Sequence, residues 1–182
     1  PYKFKNLPGL IFEVYDTNNY FNFKLVQIKN TEQRIIKNFD NYVKIDKAEY
    51  YPKKEKIYNS LSSSTKDSLK NMLKNSSNST LLFASLIQEK NVENLWEFIK
   101  NELIEDQNVD NDKLVNLFEL VLNIFIKIFP QYSKNGINIS DRFDTELHIK
   151  AKGSGSNITK ILLDGWKNNQ TNKIIKKTVV GV

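Results

Sequence analysis

The chain has 182 residues, with 27 Lys and Arg against 21 Asp and Glu, which gives a formal charge of +6 and a pI near 9.3. This length predicts a single domain over residues 1–182 with enough chain to bury a core, and the charge favours an anionic partner. The absence of Cys excludes disulfides and Cys catalysis, and a single His with no His/Cys cluster argues against a zinc site.

The first predicted element is a β-hairpin. Two segments, Leu10–Tyr15 and Tyr20–Ile28, are rich in β-branched and aromatic residues and flank the turn Asp16-Thr-Asn-Asn19. The segment 37–80 that follows is polar and rich in Lys, Ser and Asn. It predicts loops with one helix near Thr65–Lys74.

The middle of the chain predicts two helices. Apolar residues recur at near-helical spacing through Leu81–Ile104, and Glu105–Asn111 forms an acidic linker. Leu114–Phe129 is apolar on nearly all sides, and Pro130 ends it. This second helix is short for a membrane span and includes charged residues, so burial in the core or against a partner protein is the preferred interpretation.

The C-terminal part predicts a strand, a loop, a helix and a last strand. Leu147–Ala151 has the alternation of a strand, and a Lys-Gly-Ser-Gly-Ser-Asn loop follows it. A helix is predicted over Ile158–Trp166 with Asn157 at its N-cap, and a strand over Lys173–Val180. The whole chain therefore predicts a mixture of helices and strands.

Charge is distributed unevenly along the chain. Residues 147–182 contain seven lysines and one acid, and residues 1–88 contain 14 basic and eight acidic side chains. Residues 89–124 contain nine acids and three lysines. We expect the two basic segments to face nucleic acid and the acidic one to face solvent or protein.

The Lys-Gly-Ser-Gly-Ser-Asn loop is the first candidate site. Its glycines allow a tight turn and close approach to another molecule, and the N–H groups of the predicted helix start suit phosphate. Lys150, Lys152 and Lys160 lie beside it in the sequence. Without a neighbouring nucleophile and base, the loop predicts binding of a polyanion backbone; an ordinary glycine turn that binds nothing is the alternative.

The polar tract 74–80 is a second candidate. Its short hydroxyl and amide side chains cap helices and donate hydrogen bonds to phosphate oxygens. A solvated linker explains this tract about equally well.

A metal-dependent nuclease is the alternative considered for the hairpin. Gln27-Ile-Lys29 ends its second strand, with Glu13 and Asp16 upstream. Such an enzyme needs a carboxylate and the x-Lys strand converging on one metal. Cross-strand pairing places Gln27 opposite the first residues of the hairpin, away from both acids, so a solvated strand face is preferred.

Three sequence blocks in order resemble a known family. They are Thr17-Asn-Asn19 with Phe23-Lys-Leu-Val-Gln-Ile28; Asn78-Ser-Thr-Leu-Leu-Phe-Ala84; and Ala151-Lys-Gly-Ser-Gly-Ser-Asn-Ile158 with Ile174-Ile-Lys-Lys-Thr-Val179. Together they resemble small-subunit ribosomal protein S-eleven. The family Arg after the loop is Ile158 here, so Lys160 or Lys150 would supply that charge. Insertions are inferred at about 37–73 and 101–142.

The resemblance implies an α/β fold with a mixed sheet of about five strands and helices on both faces, ribonuclease H-like, plus a helical insertion. It implies a non-enzymatic structural constituent of the small ribosomal subunit, without cofactor or metal. The protein would bind small-subunit rRNA at the platform near the mRNA exit path and contact neighbouring ribosomal proteins through 101–142, with no membrane partner. Only two of the 27 basic residues are Arg and Asn occurs 24 times, a bias that indicates an A/T-rich genome. This bias and the enlargement favour a mitochondrial ribosome, and otherwise a cytoplasmic one.

The candidate RNA-binding residues come from the loop, the polar tract, the hairpin turn and the last strand. They are Lys150, Lys152, Gly153, Ser154, Gly155, Ser156, Asn157, Lys160, Lys74, Ser77, Asn78, Ser79, Thr80, Asn18, Asn19, Lys176 and Lys177. A non-ribosomal protein-interaction module that docks a partner on helix 114–129 remains the alternative from another class.

Overall fold

The structure is a computed structural model that describes residues 10–16, 20–27, 43–73, 82, 85–106 and 108–182. Side chains are described at position 53 and, within these ranges, from position 55 onward. The chain divides into two compact units, Pro1–Asn91 and Val92–Val182. The sequence predicts one domain. The boundary between the two units, Asn91–Val92, falls inside a helix, and no change in composition marks it.

The first unit contains a three-stranded antiparallel sheet in the order β1-β2-β3. Its elements are β1 (Leu10–Asp16), β2 (Tyr20–Gln27), β3 (Val43–Asp46), α1 (Lys47–Ser60) and α2 (Ser63–Leu73). The predicted hairpin is confirmed, and Gln27 pairs with Leu10. The helix predicted near Thr65–Lys74 is α2, where the Ser62 hydroxyl accepts the Thr65 N–H in the manner of an N-cap.

The segment 37–80 contains more regular structure than its composition predicts. Besides α2 it forms β3 and α1, so the prediction of loops with one helix is wrong for 43–60. The sequence of α1 is strongly polar and has no apolar stripe, so hydrophobic periodicity gives no signal there. β3 is only four residues long, and its pairing with β2 is a tertiary contact that local sequence does not encode.

The second unit contains most of the long helix α3 (Glu89–Glu105) and all of α4 (Asn111–Ile128). The buried side chains of α3 recur at helical spacing, and α4 buries seven apolar side chains along its length. The prediction for Leu114–Phe129 is confirmed, and α4 ends two residues before Pro130. The pattern over Leu81–Ile104 is interrupted at Ile87–Gln88, after which α3 begins.

Aromatic rings gather around Trp166, which is almost fully buried. The ring centroid of Phe118 lies 6.0 Å from that of Trp166, and the centroid of Phe125 lies 6.3 Å from it. Tyr132 stacks on Phe125 at 5.3 Å. The apolar face of α4 is therefore covered by this chain itself. Across the described residues, none of the helices has the length and apolar character needed to span a bilayer.

Two three-stranded sheets complete the second unit. One has the order β4-β7-β8 and is built from β4 (Tyr132–Lys134), β7 (Trp166–Asn168) and β8 (Lys173–Lys176). The other has the order β5-β9-β6 and is built from β5 (His148–Lys152), β6 (Lys160–Leu163) and β9 (Thr178–Gly181). β9 runs parallel to β5 and antiparallel to β6.

The predicted helix over Ile158–Trp166 is wrong. This segment forms β6 and the start of β7, and Asn157 pairs with Arg142 in place of capping a helix. Ile161 and its neighbours pair with β9, and that tertiary pairing overrides a local pattern too short to sustain a helix alone. The strand predicted over Lys173–Val180 exists as two strands, β8 and β9, which belong to different sheets.

Mixed helices and strands are thus confirmed. The strands of the described residues lie in three three-stranded sheets, whereas the resemblance implies one mixed sheet of about five strands. The difference arises chiefly at the C-terminal segment, where one predicted helix is strand and one predicted strand is shared between two sheets.

A charged cluster joins α3 to β8. Glu97 accepts hydrogen bonds of 2.6 Å from both Lys100 and Lys176, and both lysine Nζ atoms lie within 5.6 Å of the Trp96 ring centroid. Burial raises the pKa of Glu97, but the hydrogen bonds and charges of the two lysines outweigh it and hold this pKa below its ordinary value of 4.5. The Trp96 indole N–H also donates to the Asp164 carbonyl at 3.0 Å.

Replacing Phe118 by Ala should destabilise the fold by about 3–5 kcal/mol, because a fully buried ring beside Trp166 is lost and leaves a cavity. Urea denaturation followed by Trp fluorescence measures this change. Asn116→Ala is the matched control on the exposed side of the same helix, with an expected change within about 0.5 kcal/mol. Similar effects of both substitutions would contradict the described packing.

Glu97→Gln should make the stability less dependent on pH. Because the folded protein lowers the pKa of Glu97, the stabilisation is fully present above pH 4.5 and is lost as the pH falls through the lowered pKa. The stability difference between wild type and Glu97→Gln should therefore be largest near neutral pH and shrink in acid. Glu119→Gln, at an exposed α4 position, is the control; an identical pH profile for both variants would contradict the cluster.

Candidate nucleic-acid interface

The Lys-Gly-Ser-Gly-Ser-Asn loop connects β5 to β6, the two strands that flank β9. The C-terminal end of the loop is hydrogen-bonded to the segment before β5. The Phe143 N–H donates to the Ser156 carbonyl and the Ile158 N–H donates to the Asp141 carbonyl, both at 2.8 Å. Residues 153–157 are all exposed. Their backbone N–H groups have no hydrogen-bond acceptor among the residues that the structure describes.

The glycines of the loop are explained by contact with the chain's own backbone. Gly153 has φ +87°, and a Cβ there would lie 1.7 Å from the Val182 carbonyl oxygen. A Cβ at Gly155 would lie 3.1 Å from the Val182 carbonyl carbon. The Val182 N–H donates to the Lys152 carbonyl at 2.9 Å. These residues are therefore glycine because Val182 packs against them, which differs from the expected approach of another molecule.

Two of the predicted lysines share a row across the sheet. Gly181 of β9 pairs with Lys152 on one side and with Lys160 on the other. Two strand spacings separate the lysine Cα atoms by about 10 Å, and the register of each flanking strand shifts nearby, between Lys150 and Lys152 in β5 and between Ile161 and Leu163 in β6. Gly181 has no side chain between them. The row therefore places two exposed lysines on either side of the buried Gly181, next to the loop N–H groups.

Arg142 is a further cation that the sequence did not indicate. It is exposed and pairs with Asn157, and the flanking hydrogen bonds make this a non-hydrogen-bonded pair, in which side chains lie closest. Arg142 falls within the segment assigned to a protein-facing insertion, and no local pattern connects it to the loop. Only the pairing of 141–143 with 156–158 brings it to the site.

Lys150 is exposed at this site, and its Nζ lies 5.0 Å from the Phe143 ring centroid. This cation–π contact restrains the side chain next to the loop without neutralising its charge. We call Arg142, Lys150, Lys152, Lys160 and residues 153–157 the loop site.

Acidic groups also lie next to the loop site. Asp106 Oδ2 is 2.7 Å from the Lys152 Nζ, in a pair whose side chains are both more than half exposed. Asp141 is exposed, and its Oδ2 accepts the Asn138 N–H at 2.8 Å. The site thus combines four cations with two neighbouring carboxylates, which gives a modest positive excess.

The remaining candidate residues are not brought to the loop site. Lys176 forms ion pairs with Glu93 and Glu97, and its side chain is only 15% exposed. It therefore belongs to the charged cluster on α3. Lys177 donates to the Thr145 carbonyl at 2.7 Å. Lys74, Ser77, Asn78, Ser79 and Thr80, together with Asn18 and Asn19, lie outside the described residues. The loop with its three lysines is therefore the part of the predicted site that the structure assembles.

The helix N-terminus expected at Asn157 is absent, so no helix dipole contributes to anion binding here. What remains is direct attraction by ammonium and guanidinium groups and hydrogen bonding by loop N–H groups. In the described part of the chain, no group of three or more His, Cys, Asp or Glu side chains is arranged to hold a metal ion.

Comparison with protein-family models, with curated proteins and with solved structures gave no significant match to this chain. The chemistry of the site therefore has to be inferred from its own geometry and charge.

Gly153→Ala should destabilise the protein by more than Gly136→Ala does. Both glycines have positive φ, +87° and +72°, so each substitution carries a backbone cost of about 1 kcal/mol. A Cβ at Gly136 meets nothing within 4 Å, whereas one at Gly153 meets the Val182 carbonyl. Thermal denaturation of both variants measures the difference, which we expect to exceed about 1 kcal/mol. If both variants lose the same stability, contact with Val182 is not the reason for glycine at position 153.

Proposed function

We propose that this protein binds the sugar–phosphate backbone of RNA through the loop site. The observation that supports the proposal most strongly is the row Lys152–Gly181–Lys160, with two exposed lysines on either side of a residue that has no side chain. Exposed backbone N–H groups of the adjacent loop supply donors for phosphate oxygens. Lysines act here as point charges that release counterions from the polyanion.

The proposed recognition is by backbone and shape. A-form RNA is read mainly through its phosphates and 2′-hydroxyl groups, and the loop site offers cations, N–H groups and the hydroxyls of Ser154 and Ser156. This donor-rich composition suits the phosphodiester groups of RNA, which accept hydrogen bonds and do not donate them at neutral pH.

The finer proposal is that the RNA is small-subunit rRNA, bound at the platform near the mRNA exit path as a non-enzymatic constituent of a mitochondrial or cytoplasmic ribosome. It rests on the ordered sequence blocks that resemble ribosomal protein S-eleven, together with the low Arg and high Asn content that indicates an A/T-rich genome. The block at 78–84 lies almost entirely outside the described residues, and a strand follows the loop where the family pattern has a helix. The ribonuclease H-like sheet and the contacts of 101–142 with neighbouring proteins belong to this finer proposal.

The alternatives find less support. Leu114, Leu117 and Phe118 of α4 are fully buried within this chain, which leaves their apolar side unavailable for a partner. A nuclease site at the hairpin would need Gln27 near an acid, but Gln27 pairs with Leu10 while Glu13 pairs with Lys24. Lys29 lies outside the described residues.

The proposal is tested by fluorescence anisotropy of a labelled RNA hairpin with the Lys150/Lys152/Lys160→Ala triple variant. We expect the affinity to fall by at least about tenfold and the slope of log K against log salt to fall by about two, since cations that neutralise phosphates are removed. The matched control is Lys127/Lys167/Lys173→Ala, which removes the same charge elsewhere in the second unit. Equal losses in both variants would mean that net charge alone binds RNA.

The ribosomal part requires a separate measurement. Ultraviolet crosslinking of the native protein, followed by sequencing of the attached RNA, should give reads concentrated on small-subunit rRNA and crosslinked peptides from 150–160. Reads scattered over unrelated RNAs, with peptides still from 150–160, would retain RNA binding and reject the ribosomal assignment.

A further inference from the structure

One lysine of the loop site already has an anionic partner in the chain. The Lys152 Nζ lies 2.7 Å from Oδ2 of Asp106, and the two side chains are 51% and 59% exposed. Among the described residues, Lys150 and Lys160 have no carboxylate within ion-pair distance. Lys152 is therefore the lysine of the three that must exchange one anion for another when a phosphate reaches the site.

The backbone fixes where Asp106 lies. This residue directly follows α3 with φ +53°, and its N–H donates to the Glu102 carbonyl at 2.9 Å. A left-handed residue at this place is a common way to end a helix, and Asp and Asn tolerate that conformation better than most side chains. The carboxylate is thus held at the end of α3, within reach of the last residue of β5.

The pair is well suited to exchange. Both side chains are exposed and make a single ion pair with each other. This pair is therefore weak and opens readily, unlike a buried pair. A phosphate bound between Lys152 and Lys160 would compete with Asp106 for Lys152. The carboxylate would also repel that phosphate from a short distance, since like charges that share a site disfavour each other.

We propose that Asp106 is an intramolecular competitor of the loop site: it occupies Lys152 in the unbound protein and is displaced when an RNA phosphate binds. This inference rests on the proposed function, because competition needs a phosphate at Lys152. Its consequence is that the protein binds RNA more weakly than its cations allow, and that any change which removes the Asp106 charge strengthens binding.

The test is the affinity of the Asp106→Asn variant for the labelled RNA hairpin and for DNA of the same sequence. Asn keeps the left-handed backbone and removes the charge, so the fold is retained. We expect RNA and DNA each to bind about two- to fivefold more tightly, the range that corresponds to an exposed ion pair. The same left-handed conformation also favours Gly, so Asp106→Gly is a second variant that lacks the carboxylate.

Two controls isolate the competition. Asp112→Asn makes the same change of charge at an exposed position of α4 and should alter the affinity less than Asp106→Asn does. In a Lys152→Ala background, Asp106→Asn should give no more than the Asp112→Asn effect, because the lysine for which the two anions compete is gone.

The outcomes separate this inference from the proposed function. Suppose that Asp106→Asn and Asp112→Asn change the RNA affinity equally, while the Lys150/Lys152/Lys160→Ala variant still loses affinity. That result would reject competition by Asp106 and retain RNA binding by the loop site. Weaker RNA binding with unchanged DNA binding would also overturn it, and would make Asp106 an acceptor for the ribose 2′-hydroxyl. Wild-type protein that binds no RNA would remove both proposals together.

Discussion

Pairing of the buried strand β9 with β5 on one side and β6 on the other fixes the candidate site. Thr178, Val179 and Val180 are almost completely buried, so the register of this strand is set by the core rather than by solvent. That register places Gly181 between Lys152 and Lys160, and it brings Val182 against the loop glycines. The positions of the loop and of two of its cations therefore follow from one apolar strand.

A second set of contacts holds β8 and β9 to the rest of the unit. The Thr178 hydroxyl accepts hydrogen bonds from the Gly165 N–H and from the Asn135 amide, at 3.2 and 3.3 Å, and the same amide donates to the Lys176 carbonyl. Lys176 in turn joins Glu97 on α3. These buried or half-buried polar links are directional, so they select one arrangement of the strands, whereas apolar burial alone would tolerate several.

The electrostatics of the loop site depend on where each charge is held rather than on the net charge. Lys176 comes from the most basic segment of the chain, yet it is used inside the protein. Arg142 comes from residues 125–146, which contain three basic and three acidic side chains, and it reaches the loop through strand pairing. Asp106 comes from the acidic segment and pairs with Lys152, so one carboxylate of that segment lies beside the loop site. Anion binding without a helix N-terminus then relies on side-chain cations and on loop N–H groups.

The sequence by itself determined the elements whose signals are local. The hairpin at 10–27, the helices α2 and α4 and the strand β5 were predicted because alternation, helical periodicity and turn residues lie within each segment. Lys150, Lys152 and Lys160 were likewise found as charges beside a glycine loop. Only the tertiary structure decided that 158–166 contains β6 and the start of β7, that Arg142 and Asp106 lie beside the loop, and that Val182 packs against Gly153. Each of these depends on pairing or contact between residues far apart in the chain, and a segment that is short and weakly biased adopts whichever state its partner stabilises.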